Sequence, residues 1–277
     1  MTLAPVQVDG PCGTLTGWTK AGSDPDAAPV VLLHPINLQA KIWAELIELL
    51  PASRTYVAPD VRAHGGSDAA GEFGLDEWLE DILAFVDALG LTTPYHVVGG
   101  SLGGSLAVCL AERRPEDVLS ITGMGSSLNF EGVDPNGTLE LFDELGVAGA
   151  FARVFPDFTF GPHGTPEMVA TGLGLANPND VETVKRVWLA TVTSDSSDRA
   201  ARVSVPALVL TGEHDSTCTP ALGLEMARAL RTQQVVLPDI GHLPMLEFPD
   251  RIAPLIQTHF ERAEGHAART RSRRARS

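Results

Sequence analysis

Short apolar runs alternate with helical patterns along most of the chain. Six apolar runs have strand length, which predicts buried β-strands at 28–35, 54–60, 94–100, 117–125, 207–212 and 233–239. Apolar residues at helical spacing, several followed by Gly or Pro, predict helices at 40–50, 75–90, 102–115, 219–231 and 250–260. Strands that alternate with helices in this way predict an α/β fold, with a mostly parallel sheet covered by helices on both faces.

Residues 127–203 interrupt this alternation. They contain no strong strand pattern and several helical stretches separated by Pro and Gly. We interpret them as a mainly helical cap inserted above the sheet, with the α/β core at 1–126 and 204–263. The polar segment after Phe260 holds six arginines and almost no apolar residues, which predicts a disordered basic tail at 264–277.

Composition and charge narrow the classes of partner. The net charge of −15 over 277 residues argues against nucleic acid as a partner. The longest apolar runs are far shorter than the roughly 18 residues of a membrane span, and the N-terminus lacks a basic start followed by an apolar core, so neither a membrane segment nor a signal peptide is predicted. The three cysteines are widely spaced and form no metal-binding or disulfide pattern. These features favour a cytoplasmic protein, as a monomer or a homo-oligomer.

One glycine-rich stretch carries the strongest chemical signal. Gly99-Gly100-Ser101-Leu102-Gly103 has the form G-x-S-x-G and stands between a predicted strand and a predicted helix. In a nucleophile elbow, a serine at this position takes a strained turn that presents its hydroxyl above the sheet, and the glycines leave room for the neighbouring backbone. The free N–H groups at the start of the following helix can stabilise negative charge. Ser101 is therefore the predicted nucleophile.

A serine nucleophile needs a histidine base, and in the elbow architecture the order along the chain is Ser, acid, His. Five of the eight histidines follow Ser101. His242 comes after the last predicted strand, where Gly241 permits a sharp loop, and it is the predicted base. The other four lie in the insertion, in the last helix, in the polar tail and beside the acid candidates: His163, His259, His266 and His214.

The acid is expected in the loop after the strand at 207–212, where two carboxylates compete, Glu213 and Asp215. Asp215 lies further along the loop, from where its side chain can reach the loop of His242, so we predict Asp215 as the acid. Glu213 is better suited to solvate the loop or to form a salt bridge. The acid would orient the imidazole and stabilise its charged form without taking the proton itself.

Taken together, these motifs resemble the α/β-hydrolase superfamily, in its small capped branch of enol-lactonases, esterases, C–C bond hydrolases and cofactor-free haloperoxidases. The resemblance covers about 28–126 and 204–260. Five segments carry it: LLHP at 32–35, DVRAHGGSD at 60–68, GGSLGG at 99–104, GEHD at 212–215 and GH at 241–242. The resemblance implies a catalytic triad of Ser101, Asp215 and His242, with no metal and no organic cofactor.

The same resemblance implies an oxyanion hole built from the backbone N–H groups of Leu102 and Ile36. The chain departs from the family at two positions, because Pro35 and Ala63 stand where the family usually has glycine. Since proline has no N–H, the second donor of the hole can only be Ile36 or a later residue. Three polar residues near Ala63 are given a structural role by default: Asp60, Arg62 and His64.

The insertion suggests the kind of substrate. Residues 127–203 are rich in Phe and Leu and hold more carboxylates than basic residues, so we expect an apolar cleft and small, mainly neutral carboxyl esters or lactones as substrates. The candidate pocket residues are His34, Phe130, Phe142, Phe155 and Trp188. The same triad would also serve C–C bond hydrolysis, acyl transfer or perhydrolysis. A non-catalytic ligand-binding protein is the least favoured interpretation, since it need not retain all three groups.

Overall fold

An eight-stranded sheet forms the centre of the computed structural model, which describes residues 3–91, 93–130 and 133–274. The strands lie in the order β1-β2-β4-β3-β5-β6-β7-β8. All neighbouring pairs are parallel except those that involve β2, which is antiparallel to both β1 and β4. The strands are β1 Ala4–Gly10, β2 Gly13–Lys20, β3 Val30–Leu33, β4 Tyr56–Pro59, β5 Tyr95–Gly100, β6 Val118–Met124, β7 Ala207–Gly212 and β8 Gln234–Leu237.

Helices follow most of the strands. They are α1 Ala44–Leu49, α2 Leu75–Ala88, α3 Leu102–Arg113, α4 Pro135–Val154, α5 Pro166–Gly174, α6 Val181–Val192, α7 Ser197–Ala200, α8 Pro220–Ala229, α9 Pro244–Glu247 and α10 Pro249–Arg274. A 3₁₀ turn at Ala40–Trp43 precedes α1, and a π-helical turn at Phe155–Thr159 follows α4. None of the helices in the described ranges has the length and mean hydropathy that a bilayer span requires.

The predicted α/β fold is confirmed, including all six predicted strands and the parallel sheet. The hairpin of β1 and β2 at one edge of the sheet was not predicted. Its outer strand, Ala4–Gly10, has no buried residue and alternates between exposed and half-buried positions. Such a strand lacks the apolar run by which the central strands are recognised.

Apolar side chains pack on both faces of the sheet. Val97 and Val98 of β5 are both fully buried, yet they belong to opposite apolar clusters, because successive residues of a strand point to opposite faces. The cluster of Val97 includes Trp78 of α2, Leu106 of α3 and Met226 of α8. The cluster of Val98 includes buried residues of α1, α9 and α10. Strands covered on both sides can therefore be apolar throughout.

The chain between β6 and β7, residues 125–206, contains α4 to α7 and is called the helical insertion below. Its two ends meet at a narrow neck. The backbone N–H of Ser196 donates to the Leu128 carbonyl at 2.8 Å, and Asn129 forms an isolated β-bridge with Asp195. The insertion includes the predicted cap at 127–203; that this stretch forms a unit separate from the core stays a prediction.

The C-terminal segment differs from its prediction. Helix α10 does not end at Phe260 but continues to Arg274, so residues 264–274 are helical and not a disordered tail. Ala263 is buried, with 1% of its surface exposed. The remainder of the predicted tail, residues 275–277, lies outside the described residues.

A partly buried polar cluster fastens this helix to the sheet. The imidazole of His96, in β5, lies 2.8 Å from the hydroxyl of Ser120 and 3.3 Å from Oε1 of Glu264. The same carboxylate oxygen accepts a hydrogen bond from Arg54 at 2.7 Å. Phe260 stacks on the His96 ring with 4.1 Å between ring centroids. The hydrogen bond from His96 and the Arg54 guanidinium lower the pKa of Glu264 to about 2.

Replacing Glu264 by Gln is expected to lower the free energy of unfolding at pH 7 by about 1–2 kcal/mol, because Arg54 loses its anionic partner while Glu264 itself is partly screened by solvent. A lowered pKa in the folded state means that the carboxylate stabilises the fold above its unfolded pKa of about 4.3 and loses this effect below it. In urea unfolding, the difference in the free energy of unfolding between Glu264→Gln and the wild type should therefore become smaller below about pH 4.3. Glu261→Gln, an exposed change on the same helix, is the control. Equal stability of both variants would contradict the role of Glu264 in fastening α10 to the sheet.

Candidate active site

Ser101 occupies a strained turn between β5 and α3. Its backbone has φ 49° and ψ −120°, a conformation that costs a non-glycine residue about 1–3 kcal/mol. The Ser101 N–H donates to the Met124 carbonyl at 2.9 Å, which fastens the turn to the end of β6. A Cβ atom at Gly103 would collide with the Leu33 carbonyl, and one at Gly99 would collide with the Gly103 carbonyl. The glycines of the motif therefore serve the close approach of β3, β5 and α3.

Asp215 and His242 form a buried hydrogen-bonded pair beyond the ends of β7 and β8. Both carboxylate oxygens of Asp215 lie 3.0 Å from Nδ1 of His242. Oδ1 also accepts hydrogen bonds from the backbone N–H groups of Thr217, at 2.9 Å, and Cys218, at 2.8 Å. Because a carboxylate can only accept, Nδ1 carries the proton, and Nε2 of the neutral ring is left with a free lone pair.

Two carboxylates act on the charge of His242. Burial of the imidazole would by itself lower its pKa, but the charge and hydrogen bond of Asp215, together with the charge of Glu247, outweigh burial. The pKa of His242 is therefore raised above its ordinary value. The pair is thus arranged to stabilise an imidazolium, as a general base requires once it has taken a proton.

Ser101 and His242 both line a cleft that encloses about 890 Å³, including its open mouth. Among the described residues of its wall there is no Asp, Glu, Lys or Arg. Phe142, Phe151 and Phe155 form part of the wall, and their rings pack on one another with centroid distances of 5.9 and 5.3 Å. A cleft whose wall carries few polar groups suits a small, largely apolar ligand.

Four of the five predicted pocket residues lie on this wall: Phe130, Phe142, Phe155 and Trp188. His34 does not, which corrects its prediction. It is buried behind the wall, where Nδ1 donates to the Pro35 carbonyl at 2.8 Å and Nε2 accepts from the Val61 N–H at 3.3 Å. Burial lowers the pKa of His34, in keeping with this neutral arrangement. Its role is to support the loop after β3.

The predicted oxyanion-hole residues belong to the loop after β3 and to the start of α3. Ile36 lines the cleft, and Leu102 is the first residue of α3. The loop of Ile36 is held from below by Asp60, whose Oδ1 accepts the Ala40 N–H at 2.6 Å. Ala63 has a φ of 61°, which explains why glycine is usual at this position.

The segment around Ala63 is otherwise structural. Arg62 donates from Nε and Nη2 to the two carboxylate oxygens of Asp81, at 2.8 and 2.7 Å, in a buried bidentate ion pair. His64 is fully buried and donates from Nδ1 to the Arg62 carbonyl at 3.0 Å. Neither side chain is part of the described cleft wall.

Sequence reasoning did not single out Glu247 and Cys218. Glu247 is 3% exposed, and the one sequence signal for it is a carboxylate within the apolar stretch PMLEF. The Cys218 thiol lies 3.6 Å from the Ser127 hydroxyl, and burial followed by the charge of Asp215 raises its pKa. This keeps a neutral thiol beside the acid.

One group of side chains in the described ranges is close enough to share a metal ion. Glu213, His214 and Asp239 place one ligand atom each within 4.8 Å of one another, and all three residues are exposed. The Glu213 carboxylate also accepts the Asp239 N–H at 3.3 Å. None of the three residues belongs to the described cleft wall.

Part of the chain, including Ser101, matches a known protein family. Residues 28–179 match the family model described as alpha/beta hydrolase fold. A 3-oxoadipate enol-lactonase of Acinetobacter baylyi is 26% identical over 239 residues, which cover 82% of this chain and 86% of the lactonase. A pimeloyl-[acyl-carrier protein] methyl ester esterase of Neisseria meningitidis is 25% identical over 268 residues, covering 86% of this chain and 79% of the esterase.

Solved structures share the same fold. A thermophilic esterase from Thermogutta terrifontis superposes with a TM-score of 0.81 at 23% identity, covering 94% of this chain and 99% of the esterase. The enol-lactonase from Burkholderia xenovorans superposes with a TM-score of 0.80 at 23% identity, covering 90% of this chain and 96% of the lactonase.

Proposed function

Because this chain belongs to the α/β-hydrolase fold family, we propose that it hydrolyses small, mainly neutral carboxyl esters or lactones through an acyl-enzyme on Ser101. The observation that carries the proposal is the position of Ser101 and the Asp215–His242 pair, since Ser101 and His242 line one apolar cleft. Relatives named as an ester esterase and an enol-lactonase support this class of substrate.

Acylation begins with His242. Nδ1 is protonated and held by Asp215, so Nε2 takes the hydroxyl proton as Ser101 Oγ attacks the carbonyl carbon of the substrate. Asp215 stabilises the resulting imidazolium by its charge and does not take the proton. The imidazolium then gives its proton to the leaving alcohol, or to the ring oxygen when the substrate is a lactone.

The tetrahedral intermediate carries a negative charge on the former carbonyl oxygen. In this proposal the backbone N–H groups of Leu102 and Ile36 donate to this oxygen, and the start of α3 adds the positive end of a helix dipole. Water then enters the emptied leaving-group site, His242 removes its proton, and the hydroxide attacks the acyl-enzyme. The acid departs and Ser101 regains its proton.

The cleft wall indicates which esters are preferred. A substrate carboxylate would lose its hydration in the cleft and would find no cationic side chain among the described wall residues. Moving an unpaired charge out of water is costly, on the order of several kcal/mol. Neutral acyl groups avoid this loss and gain contact with the Phe side chains.

We expect kcat/KM for neutral short- and medium-chain esters and lactones to exceed that for dicarboxylate mono-esters of matched length by at least about 10²-fold, which corresponds to a little under 3 kcal/mol. The measurement is a series of steady-state rates in which each neutral substrate has a partner differing only by a terminal carboxylate. A preference for the acidic member of each pair would contradict the proposed substrate class. It would favour three basic residues of the helical insertion as binding groups for the substrate carboxylate: Arg153, Lys185 and Arg186.

A further inference from the structure

Glu247 is a buried carboxylate five residues after His242. It is the last residue of α9, and only 3% of its surface is exposed. It is not one of the described residues that line the cleft. A carboxylate almost never occupies such a position unless it is paired or hydrogen-bonded.

The partners of Glu247 are backbone N–H groups from two separate parts of the chain. Gly241, immediately before His242, donates to both carboxylate oxygens at 3.0 Å. Gly161, in the helical insertion, donates to Oε2 at 2.7 Å. The carboxylate therefore holds Gly241, the residue before His242, together with a point in the insertion.

His242 is itself tied to the same segment of the insertion. Its backbone N–H donates to the Thr159 carbonyl at 2.7 Å. On the acid side, the Ser216 hydroxyl donates to the Phe158 carbonyl at 3.0 Å. Residues 158–161 thus contact the loops of both Asp215 and His242, while Phe155 and Thr159 also face the cleft.

We propose that Glu247 is a positioning residue for His242, and that its carboxylate fastens the loop carrying the imidazole to Gly161 of the helical insertion. This inference rests on the proposed function of His242 as the base. A carboxylate suits the task because it offers acceptors in several directions and no donor. Glutamine in its place would keep one acceptor oxygen and turn an NH₂ group toward backbone N–H groups.

The charge of Glu247 has a second effect on the site. The charged groups that act on His242 are Asp215 and Glu247, and both favour the imidazolium. Burial raises the pKa of Glu247 more than its backbone hydrogen bonds lower it. Glu247 also borders a second cleft at the surface. Three exposed carboxylates line this cleft: Glu45 of α1, Glu167 of α5 and Asp250 of α10.

The test is the Glu247→Gln variant, assayed with a neutral p-nitrophenyl ester. We expect kcat to fall by about 10- to 100-fold, because a small displacement of the base is sufficient for such a loss, while KM changes less than about threefold. In the wild type, kcat/KM should fall on acidification through a pKa above about 6.5. Removing one negative charge should move this acid limb to lower pH.

Glu247→Asp and Glu213→Gln complete the experiment. Aspartate restores the charge but not the reach, so the acid limb should return close to its wild-type position while kcat remains several-fold low. Glu213→Gln removes an exposed carboxylate outside the cleft and should match the wild type in kcat and in pH profile. If Glu247→Gln does not fold, the Asp variant still decides, because wild-type kcat in that variant would overturn the proposal.

A purely structural role for Glu247 would give a different result. Titration of the active serine with a fluorophosphonate counts the folded sites, and rates are then expressed per site. A lower melting temperature and fewer sites, with unchanged kcat per site and an unmoved acid limb, would overturn the positioning role. Failure of the wild type itself to react with the fluorophosphonate or to hydrolyse the ester would instead reject the proposed function of Ser101.

Discussion

Replacing Ser101 by alanine is expected to lower kcat for ester hydrolysis by about 10³-fold or more, with little change in melting temperature. The substitution removes the attacking oxygen but leaves the turn intact, since alanine is no larger than serine at φ 49°. His242→Ala should cause a loss of similar size, because the hydroxyl would then have no base. The double variant should be hardly worse than either single one, since the two groups act in one step.

Ser105→Ala is the matched control for Ser101. Ser105 lies one helical turn further along α3, is fully buried and donates from its hydroxyl to the Ser127 carbonyl at 2.7 Å. Its loss should lower stability by about 1 kcal/mol and leave kcat within a few-fold of the wild type. Retention of a tenth or more of wild-type kcat in Ser101→Ala, with pure protein, would exclude Ser101 as the nucleophile.

Asp215→Asn is expected to reduce kcat by about 10³- to 10⁴-fold. The asparagine NH₂ group can donate to Nδ1 of His242, which favours the tautomer with the proton on Nε2. The imidazole then cannot accept the Ser101 proton, although the geometry is almost unchanged. The raised pKa of His242 should also be lost, because its main cause is the charge of Asp215.

Glu213→Gln is the comparison that decides between the two acid candidates. The Glu213 side chain is exposed and accepts a hydrogen bond from Asp239, whereas Asp215 is 3% exposed and bonded to the imidazole. We expect kcat of Glu213→Gln to stay within about threefold of the wild type. Severe loss in this variant together with mild loss in Asp215→Asn would reverse the assignment.

The central sheet could be predicted because its residues carry local signals. Buried parallel strands are continuous apolar runs, and the helices between them have apolar stripes. Helix α10 beyond Phe260 has no such stripe. It is held in part by Glu264, whose partners Arg54 and His96 are 210 and 168 positions away in the chain. A sequence pattern cannot show contacts between residues so far apart.

The candidate site shows the same division. Ser101 could be predicted from five consecutive residues, because the elbow is a local conformation. The sequence favours Asp215 over Glu213 only by its place in the loop, whereas the burial that separates the two carboxylates depends on how the loops pack. Glu247 could not be assigned a role from sequence, because one of its hydrogen-bond donors, Gly161, lies 86 positions earlier. His34 was misplaced because a residue next to a cleft loop can still point into the core.

The neck of the helical insertion offers a place where evolution could exchange the insertion for that of a relative. Since the chain enters and leaves the insertion where Leu128 and Ser196 meet, recombination between relatives can exchange helices there without rethreading the sheet. Residues 158–161 set the limit, because Thr159 accepts a hydrogen bond from the His242 N–H and Gly161 donates one to Glu247. Crossovers on either side of this segment could therefore change the range of substrates. A crossover within it would also break the hydrogen bonds that position His242.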